Sequence, residues 1–438
     1  AVHEDGQGVE QNLAEAVAWY RRAAELGHPP SENNLGRMYA QGLGIEQDPA
    51  EALRWYQRAA AHNDANAQFH LGMQHYDGKG VSRDYVSALH WLRRAAEQGH
   101  GAGANNLGHM YMQGEGMEAD PTEGLRWYRK AAEQGIAQAQ FNLAQNCFEG
   151  KTLARDLAEA AFWYRKAAEQ GHAGAQVNLG LLYNQGWGVS QDYGEAVRWY
   201  RLAAEQELDT AQFNLGVKYA EGHGVPRDMA EALRWYRKAA EQHHPQAQFN
   251  LGVMYATGDG VPRDDAEAVR WYKLAAQQHY AQAQFNLAQM YEDGLGVAAD
   301  ITAAIRLYRQ AAELKYAAAQ YNLGMMYLQG KGLERNAAKA ARWFRLAAQQ
   351  GFMAAQYNLA TMYLNGEGIA QDYAQAALWY RQAATKGDAE AKCSLAELLA
   401  QGLGVEKNLP EARRLVREGI EAGGENCLTV MDRYQLGR

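Results

Sequence analysis

The sequence predicts an all-α fold, an α/α superhelical solenoid of about twelve 36-residue helix-turn-helix repeats, and three observations predict it. A leucine recurs at 35, 71, 107, 143, 179, 215, 251, 287, 323, 359 and 395 without insertion. The apolar residues around each leucine follow a helical period, and a glycine-bearing turn that ends in Asp or Asn separates each pair of apolar runs. Constant spacing along 438 residues means that every unit occupies the same space against its neighbours, which is how a repeat array reads.

Taken in order, residues 1–29 form a truncated first repeat that supplies only a turn and a second helix, so an upstream segment is expected. Any leader would lie in it, and the compartment (periplasmic, secreted or cytoplasmic) stays open. Residues 30–424 make eleven full repeats. Residues 425–438 begin one more first helix, with Met431 in the leucine slot, and read as a C-terminal capping helix. No Pro-rich, Ser-rich or charged linker intervenes, so 1–438 reads as a single solenoid domain.

One repeat shows how each hairpin is specified. Ala247, Leu251, Met254 and Tyr255 fall at i, i+4, i+7 and i+8 and mark the first helix; Ala268, Trp271, Tyr272, Ala275 and Ala276 mark the second. Between them, Gly258 and Gly260 can supply the positive φ that ends a helix, and Asp264 can cap the next one. Glu267, three residues on, predicts a capping box, as do Asp48/Glu51, Asp120/Glu123, Asp156/Glu159, Asp192/Glu195 and Asp228/Glu231. Paired alanines such as Ala239-Ala240 let the backbones approach. Trp19, Trp55, Trp91, Trp127, Trp163, Trp199, Trp235, Trp271, Trp343 and Trp379 lie on the apolar stripe and are expected in the core.

The string Ala-Gln-Phe-Asn-Leu-Gly-x-Met-Tyr-x-x-Gly-x-Gly-Val-x-x-Asp-x-x-Glu-Ala-x-Arg-Trp-Tyr-Arg-x-Ala-Ala-Glu-Gln, nearly verbatim at 211–242, resembles the Sel1-like repeat, a relative of the tetratricopeptide repeat. The resemblance covers essentially the whole chain. It implies a right-handed superhelix whose first helices line a concave surface, and members that act as adaptors, often in bacterial envelopes, signalling or host contact.

Bulk properties narrow the function classes. A net charge of −8 argues against a broad nucleic-acid-binding face, and no apolar run is long enough for a membrane span. Cys147, Cys393 and Cys427 are too few and too irregularly placed for a disulfide framework or a four-ligand zinc site. His70, His75, His90 and His109 contain no i, i+4 pair. The Gly-x-Gly turns follow helices, not strands, and so lack the context of a dinucleotide loop. With no nucleophile, acid–base pair or metal cluster in view, the chain reads as non-catalytic and cofactor-free.

What remains is a face. At 100° per residue from the anchor leucine, positions −2, +2 and +5 lie on the opposite side of the first helix. Position −2 is mostly aromatic and +2 varies from unit to unit. In the C-terminal third Tyr321, Met325, Leu328, Tyr357 and Leu364 make an apolar patch. Beside it runs an amide row, including Asn178, Asn214, Asn250, Asn286, Asn322 and Asn358. The aromatics can either pack between repeats or meet a partner; the asparagines can either bond turn backbone or pair with an extended peptide. These residues are the expected partner-binding set of a protein–protein scaffold or adaptor. The alternative is an inhibitor or immunity protein that neutralises a secreted effector or enzyme. The partner is expected to be a protein or extended peptide, and the oligomeric state stays open.

Overall fold

The computed structural model describes residues 12–152 and 154–437. Among these residues there are 24 helices and no strand, and every helix but the last has 13 residues. First helices such as Pro245–Thr257 alternate with second helices such as Asp265–Gln277, as the sequence predicts. The turn expected in the truncated first repeat lies largely outside the described residues; its second helix is Leu13–Glu25.

The turns work as their chemistry requires, with one correction. Gly258 (φ 76°) ends the first helix by donating its N–H to Met254 O at 2.8 Å, and Gly260 repeats the left-handed geometry at φ 78°. Asp264 Oδ1 then accepts the amides of Ala266 and Glu267, each at 3.0 Å. The second half of the predicted capping box is not made. Asp264 N–H instead donates to Tyr255 O at 2.9 Å, reaching back across the turn, and Asp48, Asp120, Asp156 and Asp192 do likewise to Tyr39, Tyr111, Cys147 and Tyr183. With that amide already satisfied, Glu267 pairs with Arg270 one turn on, as Glu195 does with Arg198 and Glu231 with Arg234.

The chain divides between Arg227 and Asp228 into two compact units. In the first, Leu107, Tyr128, Leu143, Tyr164 and Leu179 join the buried alanines of both helices in one core. In the second, Tyr272, Leu287, Tyr308, Leu323, Phe344 and Leu359 do the same. Each fully buried leucine of this kind contributes about 1.5–3 kcal/mol relative to exposure. The tryptophans fit the expected core role unevenly. Trp127, Trp199, Trp235 and Trp271 are buried and five others are half-buried, but Trp19 is 53% exposed. The reason is visible at Trp55, which packs on a cluster that joins Ala16, Val17 and Ala24 of the preceding second helix to Leu35 and Met38 of its own hairpin. The indole fills the junction with the preceding unit, and Trp19 lies on the first described helix.

At the other end the capping element is a helix of seven residues, Cys427–Arg433. Met431 in the leucine slot is half-buried, while Cys427, Val430 and Leu436 carry the seal. Cys393 and Cys427 are joined by a disulfide. The sequence pointed to no pairing, yet two of the three cysteines pair, because folding the last helix back onto the last hairpin brings positions 34 apart in sequence together.

Candidate protein-binding surface

Two neighbouring first helices of the second unit build the predicted patch. Ala317–Gln329 supplies Tyr321, Asn322, Met325 and Leu328; Met353–Asn365 supplies Tyr357, Asn358 and Leu364. All seven are half-buried. Tyr321 rests one edge of its ring on Phe344 (5.7 Å) and Phe352 (5.2 Å), and Tyr357 lies 5.6 Å from Tyr380. Burial pushes the Tyr357 phenol above its ordinary range. The aromatic row therefore packs on the second helix of its own hairpin and, at Tyr321, on the entry to the next first helix, and stays half-buried. Asn358 links the two helices, its Nδ2 donating to Tyr321 Oη at 3.4 Å and approaching Met325 Sδ at 3.5 Å. The main chain behind Leu328 and Leu364 is pinned, since Arg335 Nε donates to Leu328 O (3.0 Å) and Gln371 Nε2 to Leu364 O (2.7 Å).

Three members of the amide row bond phenols of the second helices. Asn286 Nδ2 donates to the Tyr272 hydroxyl at 3.2 Å, fourteen residues back on the preceding second helix. Asn178 and Asn322 bond Tyr164 and Tyr308 in the same register. Burial raises these phenols, Tyr164 to about 12, so each keeps its hydroxyl proton while its oxygen accepts the amide. Asn214 and Asn250 are half-buried in the same slot. In the first unit the row turns polar: a cleft of about 520 Å³ opens there beside His109, Met112, Asn142, Gln145 and Asn146. Among the described residues no group of three or more His, Cys, Asp or Glu is placed to hold a metal.

A second amide series escaped the sequence reading. Gln140, Gln176, Gln212, Gln248, Gln284, Gln320 and Gln356 are buried. Each donates Nε2 to an alanine carbonyl eight residues back, at 3.0–3.3 Å, in the last turn of the preceding second helix. Each of these carbonyls also accepts the backbone amide three residues on, as Ala132 O does from Gly135 N–H at 3.0 Å, so the glutamine serves its second lone pair. The glutamine that ends the hairpin's own second helix then donates to the buried one, as Gln170 to Gln140, Gln206 to Gln176, Gln278 to Gln248 and Gln350 to Gln320, each at 2.8 Å. The signal was present: a Gln at fixed register inside an otherwise apolar stripe.

The Sel1 repeat matches this chain twelve times, at 1–28, at 29–64 and on in 36-residue steps to 317–352, then at 354–388 and 389–424. The chain belongs to the Sel1 repeat family. The c5321 protein, a protective antigen of uropathogenic Escherichia coli with an SLR fold, is 34% identical with a TM-score of 0.81, over 96% of this chain and 91% of its own. A Sel1 repeat protein from Oxalobacter formigenes is 36% identical with a TM-score of 0.60, over 71% of this chain and 90% of its own. No curated protein sequence matches significantly. Sel1 repeat solenoids are protein-interaction folds, in general non-catalytic. No helix among the described residues is long and apolar enough to cross a membrane.

Proposed function

We propose that this Sel1 repeat chain is a non-catalytic adaptor, and that it grips a protein or an extended peptide on the first-helix face of its second unit. The observation that carries this is the half-buried row from Tyr321 to Leu364. Its inner edges are fixed by Phe344, Phe352 and Tyr380 while its outer edges are left over from internal packing. A ring held on one side meets a partner with little further loss of rotamer freedom, and Tyr and Met are types enriched at interface centres.

Met325→Ala together with Tyr357→Ala tests this. Affinity capture with the parent chain supplies the partner, and titration of parent and variant against it gives the affinities. A loss of about 2–4 kcal/mol, typical of interface hot spots, with unchanged helicity, is the expected outcome. Normal melting with undiminished binding removes the patch from the interface. Asn322→Ala with Asn358→Ala, read the same way, asks whether the amides also reach the partner.

A further inference from the structure

The last hairpin departs from the repeat at four positions, and all four converge on one place. In earlier hairpins the aromatic two residues before the anchor leucine meets the ring at the entry to the next first helix. Phe69 meets His100 at 4.6 Å, Phe141 meets His172 at 4.5 Å, Phe285 meets Tyr316 at 5.3 Å and Tyr321 meets Phe352 at 5.2 Å. In the last hairpin those two slots hold Cys393 and Gly424. Cys427 takes the slot that is a buried alanine at 319, 355 and 391, and Gly419 takes the slot that is a buried alanine at 311, 347 and 383. A Cβ on Gly419 would fall 2.7 Å from Cys393 Sγ, and one on Gly424 would fall 2.7 Å from Cys427 Sγ. The two missing methyl groups leave the volume that the two sulfurs occupy.

The element they hold needs holding. Seven residues are too few for a helix to persist in water unaided. Glu390 accepts the Glu425 amide at 2.6 Å and Asn426 Nδ2 at 2.8 Å, while Glu397 accepts Arg433 Nη1 at 2.8 Å and the Tyr434 hydroxyl at 3.0 Å. These polar clamps are exposed or partly exposed and individually weak. Between them Cys393 and Cys427 are fully buried with their Cα atoms 5.0 Å apart, within the span that a disulfide bridges.

We propose that the Cys393–Cys427 bridge is a redox lock on the C-terminal cap, a covalent replacement for the ring contact that joins several earlier hairpins to their successors. It closes by thiol–disulfide exchange with a protein or small-molecule disulfide. One cysteine thiolate attacks that disulfide and expels a thiolate; the other cysteine then displaces the second. Two electrons and two protons pass to the oxidant, which leaves as two thiols. A dithiol reductant reverses both steps and lets the cap undock from the last hairpin. The locked chain accordingly belongs to an oxidising compartment.

Two measurements on the full chain decide this. After incubation with glutathione disulfide, unfolding in an alkylating reagent and digestion should give a Cys393 peptide linked to a Cys427 peptide, with Cys147 alone alkylated. Amide exchange across 427–436 should then speed up about tenfold or more on reduction, and equally in the Cys393→Ser/Cys427→Ser variant, because local opening is no longer tethered. Exchange in Ala317–Gln329 should stay the same. Alkylation of all three cysteines in the oxidised chain overturns the lock, as does cap exchange that ignores reduction. Acceleration spread evenly over the whole second unit overturns it too, since the bridge would then hold the unit and not its cap.

Discussion

Gln140 and Gln170, on the two helices of one hairpin and thirty residues apart, share a hydrogen bond of 2.8 Å in which Gln170 Nε2 donates to Gln140 Oε1. Gln140 in turn donates to Ala132 O of the preceding hairpin. One buried amide thus ties a hairpin to itself and to its neighbour. Where the outer glutamine is replaced, the buried one is left short. Leu314 stands in its place in one hairpin and Lys386 in another, Lys386 turning instead to Gly351 O, and Gln284 Oε1 and Gln356 Oε1 are buried with no partner.

Leu314→Gln should therefore stabilise the chain. Leu314 is 46% exposed, so little apolar burial is lost, and the new amide can reach Gln284 Oε1 as Gln350 reaches Gln320. A satisfied buried acceptor contributes about 1 kcal/mol. Urea denaturation of parent and variant checks it; a midpoint that stays put or falls means that the orphaned oxygen costs nothing here.

The tryptophans should separate by position despite their common slot. Trp127 is 4% exposed and sits in the first unit's core, so Trp127→Ala should cost about 3–5 kcal/mol, the range for emptying a large aromatic site. Trp19→Ala should stay within about 1 kcal/mol, as for an exposed side chain. Thermal melts of the two variants compare them directly, and equal losses would mean that Trp19 is covered in solution.

Much of the fold was legible because each hairpin repeats one local solution. Periodicity gave the helices, glycine chemistry gave the turns, and Asp gave the caps. What stayed hidden depends on distances between hairpins. Gln140 sits on the apolar stripe of its helix and Asn286 beside the stripe, but the groups that they bond belong to the preceding second helix, which one helical wheel does not contain. The patch at Tyr321 and Tyr357 was readable as a row, but its division into an inner packed edge and an outer free one was not, since that requires Phe352 and Tyr380 in place. The Cys393–Cys427 pair was invisible for the same reason: the cap's return path has no counterpart in the repeat.

Removing residues 281–316 should leave a folded, shorter chain. Within the second unit each helix packs chiefly on those before and after it in sequence, and the last also packs on Ala389–Gln401, so the cut exchanges one equivalent junction for another. Gln320 would meet Ala276 O in place of Ala312 O, and Gln284, whose Oε1 has no partner, would leave with Leu314. Circular dichroism should show unchanged helicity per residue. Collapse to coil would reveal contacts that skip a repeat.

Acid should weaken the first unit before carboxylates titrate, through its half-buried histidines. His100 and His172 cap first helices with Nδ1, accepting the amides of Gly103 (3.0 Å) and Ala175 (3.1 Å), and each ring stacks on a phenylalanine. Nδ1 can accept only while the ring is neutral. Burial lowers both pKa values, and it lowers His70, stacked on Tyr56 and facing His100, to about 4. The folded state therefore binds fewer protons than the unfolded one between about pH 6.5, the ordinary histidine value, and about pH 4. Stability is complete above that window and falls as pH drops through it, His70 alone supplying on the order of 3 kcal/mol by the bottom. Urea midpoints taken across the window should decline for the parent chain. His70→Gln keeps polarity but cannot titrate, so its profile should flatten, and His100→Asn should retain an N-cap while removing a second share of the slope. If the variants decline as steeply as the parent, the acid sensitivity comes from carboxylates and these histidines carry none of it.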